Sequence, residues 1–241
     1  MRSIFLKCAL FFVWSLAVFV PLNPAGAAPI SIDITATISS ISDSYGLLTG
    51  HIGVGDIIHG TYIYETTTAD TNALSEVGDY RHTSVPFGIT LEINGFLFRT
   101  DPGNVDFLVE ICNDHHNNHD AYLLRSYNNL FDISVPLGDP SFTWSRNNHI
   151  HWQLYDSTHT ALASTEGTAL PAMPPVLSDW PLPYHLDISS EQTFGDTQSF
   201  YILADVTSAV LSPTSAPEPA TMVLLGIGLM GLAGVRRKIQ K

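Results

Sequence analysis

Between residues 28 and 211 apolar residues recur at every second position, and this alternation restricts the fold more than any other feature of the chain. Ile32, Ile34, Ala36 and Ile38 take turns with polar residues. Successive side chains of a β-strand point to opposite faces, so this pattern indicates a strand with one buried face. Further segments with the same period lie at 89–93, 105–111, 150–154 and 200–206. The sequence predicts an all-β domain over 28–211, a jelly-roll-like β-sandwich of about eight to ten short strands.

Turn and loop signals separate these strands. Asn94-Gly95 follows one alternating segment and precedes another, and both residues tolerate the positive φ of a two-residue hairpin turn. Residues 66–84 are polar and predict a long loop. Prolines at 171, 174, 175, 181 and 183 exclude a helix there and predict a crossing at an edge or end of the sheet.

The amino-terminal segment has the pattern of a secretory signal peptide. Arg2 and Lys7 precede an apolar run over 8–20, and the small residues Ala25-Gly26-Ala27 follow. This arrangement predicts a signal peptide over 1–27 with cleavage after Ala27. Its removal takes away Cys8 and leaves Cys112 alone, so we expect no disulfide in the domain and a packed, unreactive thiol.

The carboxyl-terminal segment has three parts. A linker over 212–219 contains Pro217, Glu218 and Pro219, an uncharged apolar run of 16 residues covers 220–235, and the basic residues Arg236, Arg237 and Lys238 follow. A helix of that length measures about 24 Å, so it spans a bilayer core of about 30 Å only with local thinning. We predict a single transmembrane helix and basic cytoplasmic tail over 220–241, with the domain outside the cytoplasm.

This tail resembles the PEP-CTERM sorting signal of exported proteins in Gram-negative bacteria that make extracellular polysaccharide. The resemblance rests on the Pro217-Glu218-Pro219 triplet, the short Gly- and Leu-rich helix and the terminal Arg236-Arg237-Lys238. It implies that exosortase, a membrane protease-transpeptidase, recognises the tail and cuts it near the triplet. A plain membrane anchor that is never cut is the alternative.

The charge of the domain limits its partners. Residues 28–216 hold 22 acidic residues against four arginines, a formal charge of −18 with histidine neutral. Such a surface repels nucleic acid and attracts divalent cations. We therefore expect no nucleic-acid partner.

Two loops contain side chains that bind metals. His115, His116, His119 and Asp120 lie between two predicted strands, and imidazole and carboxylate groups suit Zn²⁺. His149 and His151 share a strand face and can join this site. A solvated loop and a loop that contacts another ligand are the alternatives, since no known zinc spacing is present.

Oxygen ligands for Ca²⁺ occur in the acidic segment, at Asp70, Asn72, Glu76 and Asp79. Their spacing fits no EF-hand loop. A plain acidic loop is the alternative to a calcium site.

No catalytic residues are predicted. Asp106 and Glu110 lie about 13 Å apart along one strand, which exceeds the separation of paired glycosidase carboxylates. Trp152 alternates with apolar residues and is expected in the core, whereas Trp180 and Tyr184 are expected to be exposed and to stack on sugar rings.

These observations predict an exported, non-catalytic surface or matrix-associated protein that contacts carbohydrate or the matrix. It is anchored in the inner membrane before processing and lies at the outer surface or in the matrix afterwards. A secreted glycan hydrolase and a purely structural surface protein are the alternatives.

Overall fold

In the part of the chain that the structure describes, 11 strands form one antiparallel sheet. The computed structural model describes residues 29–115, 119–132, 146–162, 167–192 and 198–213. In chain order the strands are β1 (Ile30–Asp43), β2 (Ile57–Tyr64), β3 (Val77–His82), β4 (Gly88–Ile93), β5 (Phe96–Thr100), β6 (Phe107–His115), β7 (His119–Ser126), β8 (Asn129–Phe131), β9 (Arg146–Asp156), β10 (His185–Gln192) and β11 (Gln198–Leu211). Across the sheet their order is β3-β6-β7-β9-β10-β11-β1-β2-β4-β5-β8.

The predicted all-β class is confirmed, but the predicted two-sheet sandwich is corrected. All 11 strands belong to one continuous sheet, which curls so that its two halves face each other over one core. The hydroxyl groups of Tyr62 on β2 and Tyr122 on β7 lie 3.1 Å apart across this core. The pairing of β1 with β11 shifts register at two places, and such bulges bend strands, so the sheet turns back on itself without dividing.

The buried positions follow the predicted alternation. Ile32, Ile34, Ala36 and Ile38 are buried on β1, and β9 and β11 bury every second residue in the same way. Trp152 is fully buried, as predicted, with its ring edge-to-face against Tyr62 and Tyr122. β6 differs, because residues on both of its faces are buried, and its outward face belongs to a second, small apolar cluster.

The predicted hairpin at Asn94-Gly95 is confirmed. These residues join β4 to β5 with φ angles of 51° and 87°. Both angles are in the left-handed region, which asparagine and glycine adopt most readily.

The prediction of a continuous loop over 66–84 is wrong, because the segment contains β3. Val77, Gly78, Tyr80 and His82 are its buried residues, and a set that contains glycine and histidine has no strong apolar signal. Gly78 is required there, since a Cβ atom would lie 2.5 Å from the carbonyl oxygen of Thr168.

The proline-rich segment after Gly167 closes one end of the curled sheet. Tyr64 donates a hydrogen bond of 2.6 Å to the carbonyl of Pro171, and Tyr80 donates one of 2.7 Å to Thr168. The segment contains one 3-10 turn (Leu177–Asp179) and no strand. This agrees with the predicted crossing at an end of the sheet.

The described chain enters and leaves at this same end. β1 and β11 are neighbours, with Ile32 paired to Leu211, and the Ser212 hydroxyl donates a 2.6 Å hydrogen bond to Asp33. Within the described residues no helix is long and apolar enough to cross a membrane. The predicted signal peptide over 1–27 and the predicted helix over 220–241 lie outside these residues.

Candidate functional site

The outward face of β9 and β10 has the largest concentration of polar and aromatic side chains with partners on several strands. On β9 the residues that point away from the core are His149, His151, Gln153 and Tyr155, because Ile150, Trp152 and Leu154 occupy the buried positions between them. On β10, His185, Asp187 and Ser189 face the same side, in register with β9. The prediction that His149 and His151 share a strand face is confirmed, since both face outward.

A depression of about 270 Å³ lies on this face, and we call it the histidine groove. Its lining comes from four strands and the turn after β7, namely Arg125, Ser126, Tyr127, His149, Ile150, His151, Asp187, Ser189 and Tyr201. Neighbouring strands thus bring together residues that are more than 70 positions apart in the sequence.

Asp187 occupies the centre of a hydrogen-bonded triad. Its Oδ2 atom lies 3.3 Å from Nδ1 of His151, and its Oδ1 accepts a 2.6 Å hydrogen bond from the Tyr201 hydroxyl. Burial alone would raise the pKa of Asp187, but the hydrogen bonds from His151 and Tyr201 outweigh it and lower that pKa. Burial, reinforced by Asp187, raises the pKa of Tyr201 well above its usual value. At neutral pH the carboxylate is therefore charged and the phenol keeps its proton.

The other ring nitrogen of His151 has no partner. Its Nε2 atom is buried and meets no hydrogen-bonding group among the described residues. Because the Asp187 carboxylate can only accept, Nδ1 carries the proton of the neutral ring and Nε2 presents a lone pair. Buried polar atoms normally have a partner, so this nitrogen is suited to receive a hydrogen bond from a ligand hydroxyl or a water molecule.

Arg125 lines the groove, and Arg81 on β3 contacts another lining residue, Tyr127. Arg125 lies 3.3 Å from Glu110, and Arg81 is paired with Asp106. The Arg81 guanidinium also lies 5.5 Å from the centre of the Tyr127 ring, a cation–π distance. Asp106 and Glu110, the two carboxylates considered above as a catalytic pair, are thus each paired with an arginine.

The predicted zinc loop is only partly within the described residues. His115 pairs with His119 along the backbone, whereas His116 lies outside them. The Asp120 side chain is fully buried, and its oxygens accept hydrogen bonds from the amides of Asp114 at 3.1 Å and Leu162 at 2.8 Å. Over the described part of the chain no three His, Cys, Asp or Glu side chains are arranged to hold a metal. Zinc binding that involves His116 remains a prediction.

The predicted calcium ligands do come together, through hydrogen bonds. Asp70 Oδ1 accepts from the amides of Asn72 at 2.8 Å and Asp79 at 2.9 Å, and the Asn72 amide group donates to Asp79 Oδ2 at 3.1 Å. These bonds fasten the loop against the edge strand β3. Calcium binding stays a prediction, because the contacts seen are those of a folded polar loop.

The expectation that Trp180 is exposed is wrong. Its side chain is only 6% exposed and belongs to the core, because the 3-10 turn before it directs the indole inwards. The hydroxyl of Tyr184 donates to the carbonyl of Trp180 at 3.1 Å. The exposed aromatic residue nearby is Tyr155, at 44%.

Cys112 is buried on the outward face of β6, in a small cluster with Val77, Ala121 and Leu123. Burial and the neighbouring Glu110 raise the pKa of its thiol to about 12. The burial of Cys112 confirms the prediction of a packed cysteine. The raised pKa means that the thiol stays protonated, as expected for an unreactive cysteine.

Sequence reasoning missed Arg125, Tyr127, Asp187 and Tyr201 as members of the site. The alternating His-x-His-x-Gln-x-Tyr pattern of β9 signals an unusual outward face. Their association with it depends on which strands are neighbours, and no local pattern contains that information.

Comparison with known proteins identifies the tail. Residues 215–238 match the PEP-CTERM protein-sorting motif. The chain carries an exosortase sorting signal. This signal marks it as an exported surface protein that is sorted at a membrane, and it confirms the resemblance drawn from Pro217, Glu218 and Pro219. No curated protein and no solved structure matches the chain.

Proposed function

We propose that this protein is a non-catalytic component of the bacterial surface that contacts extracellular polysaccharide through the histidine groove. The domain is held outside the inner membrane by the tail before processing. Exosortase then cuts the tail near Glu218, and the domain moves to the outer surface or the matrix. The sorting motif at 215–238 supports the route.

The Nε2 of His151, which has no partner among the described residues, is the observation that carries the contact with polysaccharide. His151 lines an open depression together with Asp187, a carboxylate acceptor, and Arg125, a donor, and its Nε2 atom is buried beneath that surface. Sugar hydroxyl groups both donate and accept hydrogen bonds, so a site with donors and acceptors close together suits them.

The sorting step is tested by changing Pro217 and Glu218 to alanine together. We expect the tail to stay attached, because exosortase would lose the residues that mark its site. Intact-mass analysis of the protein recovered from cells measures this, with Thr214→Ala as the control. Normal trimming of the double variant would refute the sorting claim.

The polysaccharide contact is tested by His151→Gln in the secreted protein. We expect this variant to lose most binding to matrix polysaccharide in a sedimentation assay, since glutamine cannot keep both the bond to Asp187 and the acceptor at Nε2. His59→Gln is the matched control, because His59 is an exposed histidine on β2 away from the groove. Equal binding by both variants would exclude the groove.

A glycan hydrolase is the second candidate. It is favoured by one observation, the carboxylate of Asp187 placed behind His151, which is how a general base is oriented. Release of reducing sugar ends from matrix polysaccharide, abolished by His151→Gln, would establish this function in place of the first.

A further inference from the structure

A second depression adjoins the histidine groove on the same outward face. It measures about 320 Å³ and is lined by Gln153, Tyr155, Ser157, Pro181, Leu182, Pro183 and His185. We call it the tyrosine groove. Gln153 and His185 face each other in register, and they are the next outward residues after His151 and Asp187 on the same two strands.

The two grooves therefore follow one another along β9, because their residues occupy consecutive outward positions, and we call the two together the strip. Its outward residues run from His149 to Tyr155, six positions apart, which corresponds to about 20 Å of strand. Gln153 and His185 lie where the grooves meet. Nδ1 of His185 is also buried without a partner among the described residues, so an unused polar atom occurs in each half of the strip.

An aromatic residue stands near each end of the strip. Tyr155 is 44% exposed, and the ring of His119 supports it from the side at 4.9 Å between ring centres. At the other end the Tyr127 ring contacts His149 edge-to-face at 6.2 Å. An exposed ring held in place by a neighbour offers a flat apolar surface at little cost in side-chain entropy.

The strip carries no excess positive charge, and the domain around it is strongly acidic. Arg125 is paired with Glu110, and Asp187 is a carboxylate beside the neutral ring of His151. The surrounding domain has a formal charge of −18, with 22 acidic residues against four arginines over 28–216. This field repels an anionic chain, and the strip offers no uncompensated cation to overcome the repulsion.

We propose that the strip binds an extended chain of neutral sugar units, with Tyr155 as the stacking surface and His151, Gln153 and His185 as hydrogen-bonding partners. The inference rests on the proposed contact with polysaccharide and specifies its ligand. The ligand is uncharged, and it must be longer than a disaccharide to reach from the histidine groove to Tyr155.

The test uses polysaccharide from the matrix of the producing cells, separated by anion exchange into a neutral and an acidic fraction. The secreted protein should bind the neutral fraction. Binding to the acidic fraction alone would overturn the inference and leave the contact with polysaccharide intact. Binding to neither fraction would refute both.

Length dependence is tested with neutral fragments obtained by partial hydrolysis and sorted by size. We expect affinity to rise at least tenfold from disaccharides to hexasaccharides, and equal affinity would show that only one groove is used. Tyr155→Ala should weaken hexasaccharide binding on the order of tenfold, equal to about 1.4 kcal/mol.

Tyr45→Ala is the matched control, since Tyr45 is 52% exposed in the turn after β1. Thermal melting of both variants checks that they fold. A folded Tyr155→Ala protein that binds hexasaccharides as tightly as the control would overturn the role of the tyrosine groove.

Discussion

The two faces of β9 and β10 come from the same strands, yet they differ in almost every property. The inward residues Ile150, Trp152, Leu154, Leu186 and Ile188 are apolar and almost completely buried. The outward residues between them are histidines, a glutamine, a tyrosine and an aspartate, all at least partly accessible. One set fills a core and the other forms a groove.

This difference separates the residues that stabilise the fold from the residues that we propose bind a ligand. Burial of the inward set supplies free energy of folding in proportion to apolar area. The outward set contributes few apolar contacts, and its polar atoms include two buried nitrogens that have no partner in the described part of the chain. Stability should therefore respond to the inward residues, and ligand binding to the outward ones.

The strongest test of this separation is Trp152→Ala against Gln153→Ala, at adjacent positions on opposite faces. Loss of the buried indole should lower the free energy of unfolding by about 3–5 kcal/mol, because it leaves a cavity between Tyr62 and Tyr122. Gln153→Ala should change it by about 0.5 kcal/mol or less. Urea unfolding, followed by a circular dichroism signal that does not depend on tryptophan, measures the free energy of unfolding of both variants. Similar free energies for the two variants would contradict the separation.

A smaller effect is expected from Asp156→Asn, a polar exception among the inward residues of β9. The Asp156 carboxylate is fully buried and accepts hydrogen bonds from Thr158, Thr160 and Ala161, with amide distances of 2.7, 2.8 and 3.0 Å. Asparagine keeps the size but loses charge and one acceptor, so we expect a loss on the order of 2 kcal/mol at pH 7.

Acidification should reduce the difference in stability between the unchanged protein and Asp156→Asn. Burial alone would raise the pKa of Asp156, but the hydrogen bonds outweigh it and hold that pKa well below its usual range. The stability it adds is present above the ordinary carboxyl pKa of 3.8 and is lost as the pH falls through the lower folded value. Asp132→Asn is the control, since Asp132 is exposed and accepts one amide bond, from Leu97. Equal melting temperatures for Asp156→Asn and Asp132→Asn would show that the buried carboxylate does not contribute to stability.

The sequence indicated the inward set well and the outward set poorly, for a physical reason. Burial alternates along each strand, so residues such as Ile34 and Trp152 can be recognised from their own neighbours in the chain. The groove depends on Asp187 and Tyr201 lying beside His151, and this follows from the order of strands in the sheet.

Two further differences have the same origin. The segment over 66–84 has no strong apolar signal, so its sequence predicts a loop. The buried residues of β3 include Gly78, Tyr80 and His82, and contacts with β6 and the proline-rich segment determine their burial. The prolines around Trp180 led to the prediction that it is exposed. Its indole instead packs in the core.

The smallest change in stability is expected from protonation of His82, a histidine buried on the inward side of β3. Burial lowers its pKa below 6.5, so the folded state favours the neutral ring, whose Nε2 accepts from the amide of Glu65 at 3.1 Å. Stability is complete above pH 6.5 and declines as the pH falls through the lower folded value. The melting temperature should therefore decrease modestly between pH 7 and pH 5.

His82→Gln should flatten this decrease, whatever its effect on stability at pH 7. The outward His59→Gln should leave the slope unchanged, because His59 is exposed. Identical slopes for the two variants would mean that another group responds to acid in this range.

The position of β11 has a mechanical consequence for a protein held by its tail. β11 lies between β1 and β10 and is paired with both, and the chain leaves it at Leu211. A pull applied through residue 213 along the strand loads many hydrogen bonds of both ladders at the same time, so the domain resists it in shear. A pull on an edge strand would instead break such bonds one after another. The domain is therefore expected to resist unfolding when force reaches it through the chain that follows β11.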